Sequence, residues 1–232
     1  MSRKLGRNGP TVVIDDVVWL GPAPVNQSSE AYDDSDTSHV AVLRAAGITH
    51  VVNCTPDVPF ISATQLGLAA GAAVGEFRVP VPDEDGAADA LDSFLDAATS
   101  FIQDAAAAGG RVYVHCETGK SRSATVVLAY LVRHRGKTLR EAYNETKAKR
   151  EYIQPKTAFF DKLIAREPDW AAAGVASFAH EEYALIYLLD HFIPTYTYVE
   201  GITKESIRAA IAEADGDSTV AMAKLVDVVR RG

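Results

Sequence analysis

The chain holds two cysteines, and one of them, Cys116, stands in a setting that would make a thiol work. It falls in YVHCETGKSRSAT, residues 113–125, after an apolar β-branched run and before small and basic residues that lead into a helix-like stretch. A thiol attacks as the thiolate, and an ordinary thiol with a pKa near 8.5 is mostly protonated at neutral pH. Five residues, Gly119 among them, separate Cys116 from Arg122. That spacing lets the backbone amides of Glu117, Thr118, Gly119, Lys120, Ser121 and Arg122 curl around a point in front of the sulfur, with a helix N-terminus behind. Such a nest favours negative charge, both on sulfur and on the three equatorial oxygens of a phosphoryl group. Arg122 adds a planar fork that takes two of those oxygens at once. Ser123 can donate a hydrogen bond to the sulfur when it becomes a leaving group, and His115 is expected to bond the loop backbone and support the nucleophile.

Transfer through a cysteine also needs an acid. The oxygen that leaves phosphorus is a poor anion until a proton reaches it, and a water must later be deprotonated to release the enzyme. The run VPDEDGA, residues 81–87, offers Asp83, Glu84 and Asp85 in a loop after a strand. A nucleotide-binding loop, suggested by Gly119-Lys120-Ser121, is excluded because the position that would need glycine holds Val114. A bare cysteine and arginine at this spacing is a weak signal; the strand before, the inner glycine, the serine after arginine and the apolar helix beyond make it specific.

VHCETGKSRSATVVLAYL resembles the signature loop HCxxGxxRS of the dual-specificity phosphatases, in the cysteine-based protein tyrosine phosphatase superfamily. The likeness covers residues 12–166: WLGPA resembles the family's opening strand, LRAAGITHVVN its helix-to-strand passage, and KTLREAYNETKAKREYIQPKTAFFDKL its closing helices. It implies a phosphocysteine mechanism on phosphorylated proteins, with no metal and no cofactor. It also implies that Asp85, thirty-one residues before Cys116, is the acid, with Asp83 in reserve and Glu84 a solvated turn residue. Lys156 replaces the asparagine usual after that proline, and Thr118 replaces a small residue. The tyrosine-specific branch's KNRY motif is absent, which implies a shallow pocket open to phosphoserine and phosphothreonine too. Two rivals stay open. A phospho-binding scaffold without turnover usually lacks the cysteine, the arginine or the acid, and all three are present. Phosphoinositide or RNA 5′-phosphate hydrolysis would suit a second loop cation, Lys120.

The elements that must position these groups alternate. Residues 12–22, 48–54, 76–81 and 111–115 read as strands; 39–47, with Ser38 as N-cap, 90–109 and 123–134 read as helices. TLREAYNETKAKR and KTAFFDKLIAR, the latter opened by Pro155 as a first-turn residue, add two more helices. The expected fold class is α/β: a mainly parallel central sheet flanked by helices, phosphotyrosine phosphatase-like, with a C-terminal all-helical extension. Cys116 then lies at the carboxyl end of a strand, where such sheets place their sites. The expected domains are catalytic over 1–167, linker over 168–180 and helical extension over 181–232, its second helix capped by Thr203. Residues 188–226 are similar to ubiquitin-binding modules of the UBA and CUE type, through the turn Asp215-Gly216-Asp217; a plain extension packing on the catalytic domain or on a second copy is the preferred alternative.

Two cysteines make no disulfide framework, so a reducing, cytoplasmic setting is expected, with the nucleus open as well. No run approaches the ~18 apolar residues of a membrane span. A net charge of −8 argues against broad nucleic-acid binding, although residues 120–150 carry nine Lys or Arg against Glu141 and Glu145 and could steer an anion. His39, His50, His134, His180 and His191 show no metal-ligand spacing, so no metal is expected. Cys54 ends a strand expected beside that of Cys116; it is read as packing, with a reversible Cys54–Cys116 disulfide as the sharper idea.

Overall fold

The computed structural model describes residues 9–24, 39–172, 174–195, 203–214 and 218–231, with the backbone alone for 191–195, 204, 218, 219 and 228–231. Five strands form one sheet in the order β1-β2-β5-β3-β4: β1 Thr11–Ile14, β2 Val18–Gly21, β3 His50–Asn53, β4 Gly75–Arg78 and β5 Val112–His115. All neighbours are parallel except β1 and β2. The single strand expected over 12–22 is therefore a hairpin. Asp15 and Asp16 both take positive φ, 37° and 56°, and the Val17 amide donates to the Ile14 carbonyl, closing a two-residue turn.

The pleat sorts the core. Val18, Leu20, Val52, Val112 and Val114 face helices α2 (Ala88–Ala107) and α3 (Arg122–Arg135), while Val51 and Tyr113 face α1 (His39–Ala45). β5, in the middle of the sheet, is buried at every position. α3 is buried from Arg122 to Val132 and ends on Gly136 in the left-handed conformation. Thr138 and Glu141 form a capping box at the start of α4 (Leu139–Lys149). Ser38, expected to cap α1, lies outside the described residues.

Two boundaries differ from expectation. Lys156 is the N-cap of α5 (Thr157–Trp170), so Pro155 precedes the helix instead of opening it. α5 also continues through Pro168 to Trp170, into the expected linker. The reason is Glu167: its fully buried carboxylate accepts the amides of Leu139 and Ser177, both at 2.7 Å, fixing the end of α5 to the start of α4 and to the strap that follows.

The tail is α6 (His180–Thr195), α7 (Lys204–Glu213) and α8 (Ser218–Arg231). One side of α6 belongs to the main core: Tyr183 stacks on Phe160 with centroids 3.5 Å apart, edge-on to Tyr143, and its hydroxyl donates to the Pro155 carbonyl. Arg140 of α4 holds Glu182 with both terminal nitrogens. On its other side, Ala184 and Leu188 pack with Ile207, Ile211, Ala221 and Leu225 of α7 and α8. Thr203 caps α7 as expected, while Asp215-Gly216-Asp217 lies outside the described residues. Among the described residues no helix is long and apolar enough to cross a membrane, and no group of His, Cys, Asp and Glu could hold a metal.

Candidate active site

Because β2, β3, β4 and β5 are parallel, the segments after each emerge on one side of the sheet. Those segments are Pro22-Ala23, Cys54–Pro59, Val79–Asp85 and Cys116–Ser121, and together they make the site. The Cys116 sulfur accepts hydrogen bonds from the Gly119 amide at 3.3 Å and the Ser123 hydroxyl at 3.2 Å. Both donors stabilise negative charge on sulfur, and α3 begins immediately behind them.

The turn that aims the amide inward depends on glycine. Gly119 sits at φ 68°, and a Cβ there would lie 2.4 Å from the Gly21 carbonyl carbon and 2.6 Å from the Arg150 guanidinium. The loop is held from outside by its carbonyls. Arg150, whose side chain is fully buried, donates to the carbonyls of Gly119 (2.9 Å), Thr118 (3.2 Å) and Gly9 (2.8 Å). The Ala23 amide takes the Glu117 carbonyl at 3.0 Å, and the Gln154 amide takes that of Lys120 at 2.8 Å. His115 Nδ1 bonds the Cys116 carbonyl at 3.3 Å, as expected; since a carbonyl only accepts, Nδ1 carries the proton. Burial holds this ring neutral, with its pKa lowered to about 4.

Arg122 is 2% exposed. One terminal nitrogen donates to the Val81 carbonyl at 3.0 Å, tying the loop after β4 to the phosphate loop. The other lies 3.5 Å from Glu117, and Nε lies 3.7 Å from Asp83 without a hydrogen-bond partner. The three acidic candidates separate. Asp83 accepts the Ser121 hydroxyl at 2.8 Å and, with Glu84, lines the cleft over Arg122. Asp85 opens the short 3₁₀ turn Asp85–Ala87; its carboxylate is 3.8 Å from the Lys156 ammonium and is not part of the cleft lining. Lys120 is exposed and does not line the cleft either.

Like Arg150, two further positioning residues were not legible as such. Asn53 donates to the Val58 carbonyl and accepts both the amide and the hydroxyl of Thr55, while Arg78 donates to the carbonyls of Thr55, Pro56 and Val58. Together they build the cleft wall that follows β3. Cys54 and Cys116 extend neighbouring strands that pair Asn53 with His115; both are buried free thiols, and burial pushes the Cys54 thiol pKa well up.

A parallel sheet that presents a cysteine-arginine loop at the carboxyl end of its middle strand, with a buried helix behind, defines a cysteine-based phosphatase fold. The description "Dual specificity phosphatase, catalytic domain" matches residues 31–169. Human dual specificity protein phosphatase 14 is 30% identical over 166 residues, 72% of this chain and 79% of that protein. Dual specificity protein phosphatase 1-B of Xenopus laevis is 35% identical over 127 residues, but the match spans only 31% of its length. The crystal structure of human DUSP28 overlays with a TM-score of 0.54 at 30% identity, covering 69% of this chain and 93% of that one. The chain belongs to the dual specificity phosphatase family, within the cysteine-based protein tyrosine phosphatase superfamily, a family of hydrolases.

Proposed function

We propose that the chain hydrolyses phosphotyrosine and phosphoserine or phosphothreonine in proteins through a phosphocysteine. The observation that carries this reading is the Cys116 sulfur, bonded by the Gly119 amide and the Ser123 hydroxyl, beside Arg122, a buried guanidinium that lines the cleft and whose Nε has no hydrogen-bond partner. The sulfur attacks phosphorus as the bond to the substrate oxygen breaks, and that oxygen takes a proton from the acid. Water then attacks phosphorus and gives its proton to the same carboxylate. The sulfur leaves with the Ser123 hydroxyl donating to it, and inorganic phosphate departs.

Asp85 is the acid in this reading, at the head of the turn beside the cleft. The second reading is Asp83, favoured by its place on the cleft wall. Leaving-group dependence separates them, because loss of the acid costs most where the departing oxygen is a poor leaving group. Asp85→Ala should lower kcat on phosphotyrosine by about 10²–10⁴-fold and much less on an activated aryl phosphate. Asp83→Ala should leave kcat nearly unchanged and act mainly on KM, since Asp83 touches Ser121 and Arg122 and not the departing oxygen. The reverse pattern assigns the acid to Asp83. Cys116→Ser should abolish turnover of both substrates while the phosphate site still binds; residual turnover would remove the phosphocysteine.

A further inference from the structure

We propose that the preferred substrate is a phosphopeptide whose phosphorylated residue is flanked by lysine or arginine, read by the carboxylates of Asp57, Glu84 and Glu117. The inference rests on the phosphatase reading above and names its substrate class.

The cleft over Arg122 has a volume of about 720 Å³ and is walled by the segment after β3 on one side and the one after β4 on the other. Among the described residues its charged lining is Asp57, Asp83, Glu84 and Glu117 against the single cation Arg122. Asp57 and Glu84 are exposed, and Glu117 keeps 57% of its side chain in solvent. Arg122 is an anion site held ready: buried, with an unbonded Nε, and flanked by Glu117 and Asp83 at distances too long for hydrogen bonds. A phosphate dianion that takes those nitrogens displaces the neutralising contact of Glu117 and adds charge to an acidic wall. The complex is stable when the ligand itself brings cations.

Among the described residues, neighbouring basic groups do not supply them. The Arg78 guanidinium is committed to three carbonyls beneath the wall and lies over Phe60, Lys156 faces Asp85, and Lys120 is off the cleft wall. A phosphoinositide or an RNA 5′-phosphate brings further negative charge into the same wall and is disfavoured, which reverses what Lys120 suggests from sequence. Exposed ion pairs are individually weak, so two or three of them give a preference on the order of tenfold, eroded by salt.

The test uses phosphotyrosine peptides of one length with Lys/Arg, Ala or Asp/Glu flanks, and a soluble inositol phosphate. Binding to the full chain carrying Cys116→Ser is read by fluorescence anisotropy, and turnover by the unmutated chain is read in parallel. The basic peptide should bind roughly tenfold more tightly than the Ala peptide, and the acidic peptide and inositol phosphate more weakly still. Raising salt toward ~1 M, where the Debye length is about 3 Å, should compress this ranking, and so should Asp57→Asn with Glu84→Gln. Equal affinities, a preference for acidic flanks or tighter inositol phosphate binding overturns the proposal. Failure of the phosphatase reading is a separate result: no turnover of a generic aryl phosphate, whatever the ranking in binding.

Discussion

His115 shows how one residue serves the site by staying uncharged. It lies beside the nucleophile, fully buried and stacked on Tyr113, with Nδ1 on the Cys116 carbonyl and no partner for Nε2. With its pKa lowered from 6.5 to about 4, the unfolded chain binds a proton there that the folded chain refuses between those values. Stability from this residue is therefore complete above about pH 6.5 and declines as pH falls toward 4, by roughly 3 kcal/mol in all. His115→Asn, which keeps a donor near the Cys116 carbonyl, should be less stable at pH 7 yet lose less on acidification. Urea unfolding of both proteins at pH 7 and pH 4.5 checks this, and parallel losses would refute it. Glu117 invites a second test: Glu117→Gln weakens its hold on the Arg122 fork and should lower KM for a generic aryl phosphate, measured by steady-state kinetics.

At the scale of elements, what was legible was whatever the chemistry kept contiguous. Cys116 through Ser123 was readable because nucleophile, amides and fork lie on one turn between a strand and a helix. Arg150, Asn53 and Arg78 were not, since each acts on a loop that only the folded sheet brings near. The hairpin was missed for a different reason: Val12-Val13-Ile14 and Val17-Val18-Trp19 are β-branched or aromatic on both sides of Asp15-Asp16, so propensity ran on where the chain reverses. Two aspartates are a poorer hairpin pair than Asp-Gly, as both must take positive φ. Asp16→Gly should therefore stabilise the protein by about 0.5–1 kcal/mol, whereas Asp15 should stay, because it pairs with Arg135 at 2.8 Å. The urea midpoint measures the gain, and an unchanged or lower midpoint would show that Asp16 is not strained. α5 passed its expected stop because a buried glutamate, unreadable in a one-dimensional pattern, gives its last turn something to hold.

For the whole molecule, the question is whether the tail is an appendage or a part of the catalytic body, and α6 makes the outer helices differ from the inner one. Its inner side packs Tyr183 against both Tyr143 and Phe160, and the Tyr187 carbonyl takes the side chain of Gln154, whose own amide holds the Lys120 carbonyl of the phosphate loop. The half-buried Tyr187 hydroxyl has its pKa raised first by burial and then by the charges of Asp85 and Asp83, so α6 also borders the acidic loop. Among the described residues, α7 and α8 pack on α6 in the outer cluster, where Ile207 and Leu225 join Leu188. Tyr183→Ala removes a fully buried aromatic and should cost about 3–5 kcal/mol, lowering the temperature at which activity is lost by on the order of 10 °C. Leu225→Ala opens a comparable hole in the outer cluster, yet should leave that temperature within roughly 2 °C while helical signal is lost earlier. Thermal scans followed by circular dichroism and by residual activity on an aryl phosphate compare the two. If Tyr183→Ala left the activity midpoint in place, α6 would be a passenger, and the path from Gln154 to the phosphate loop would carry no load; if Leu225→Ala lowered it equally, the three tail helices and the catalytic body would unfold as one cooperative unit.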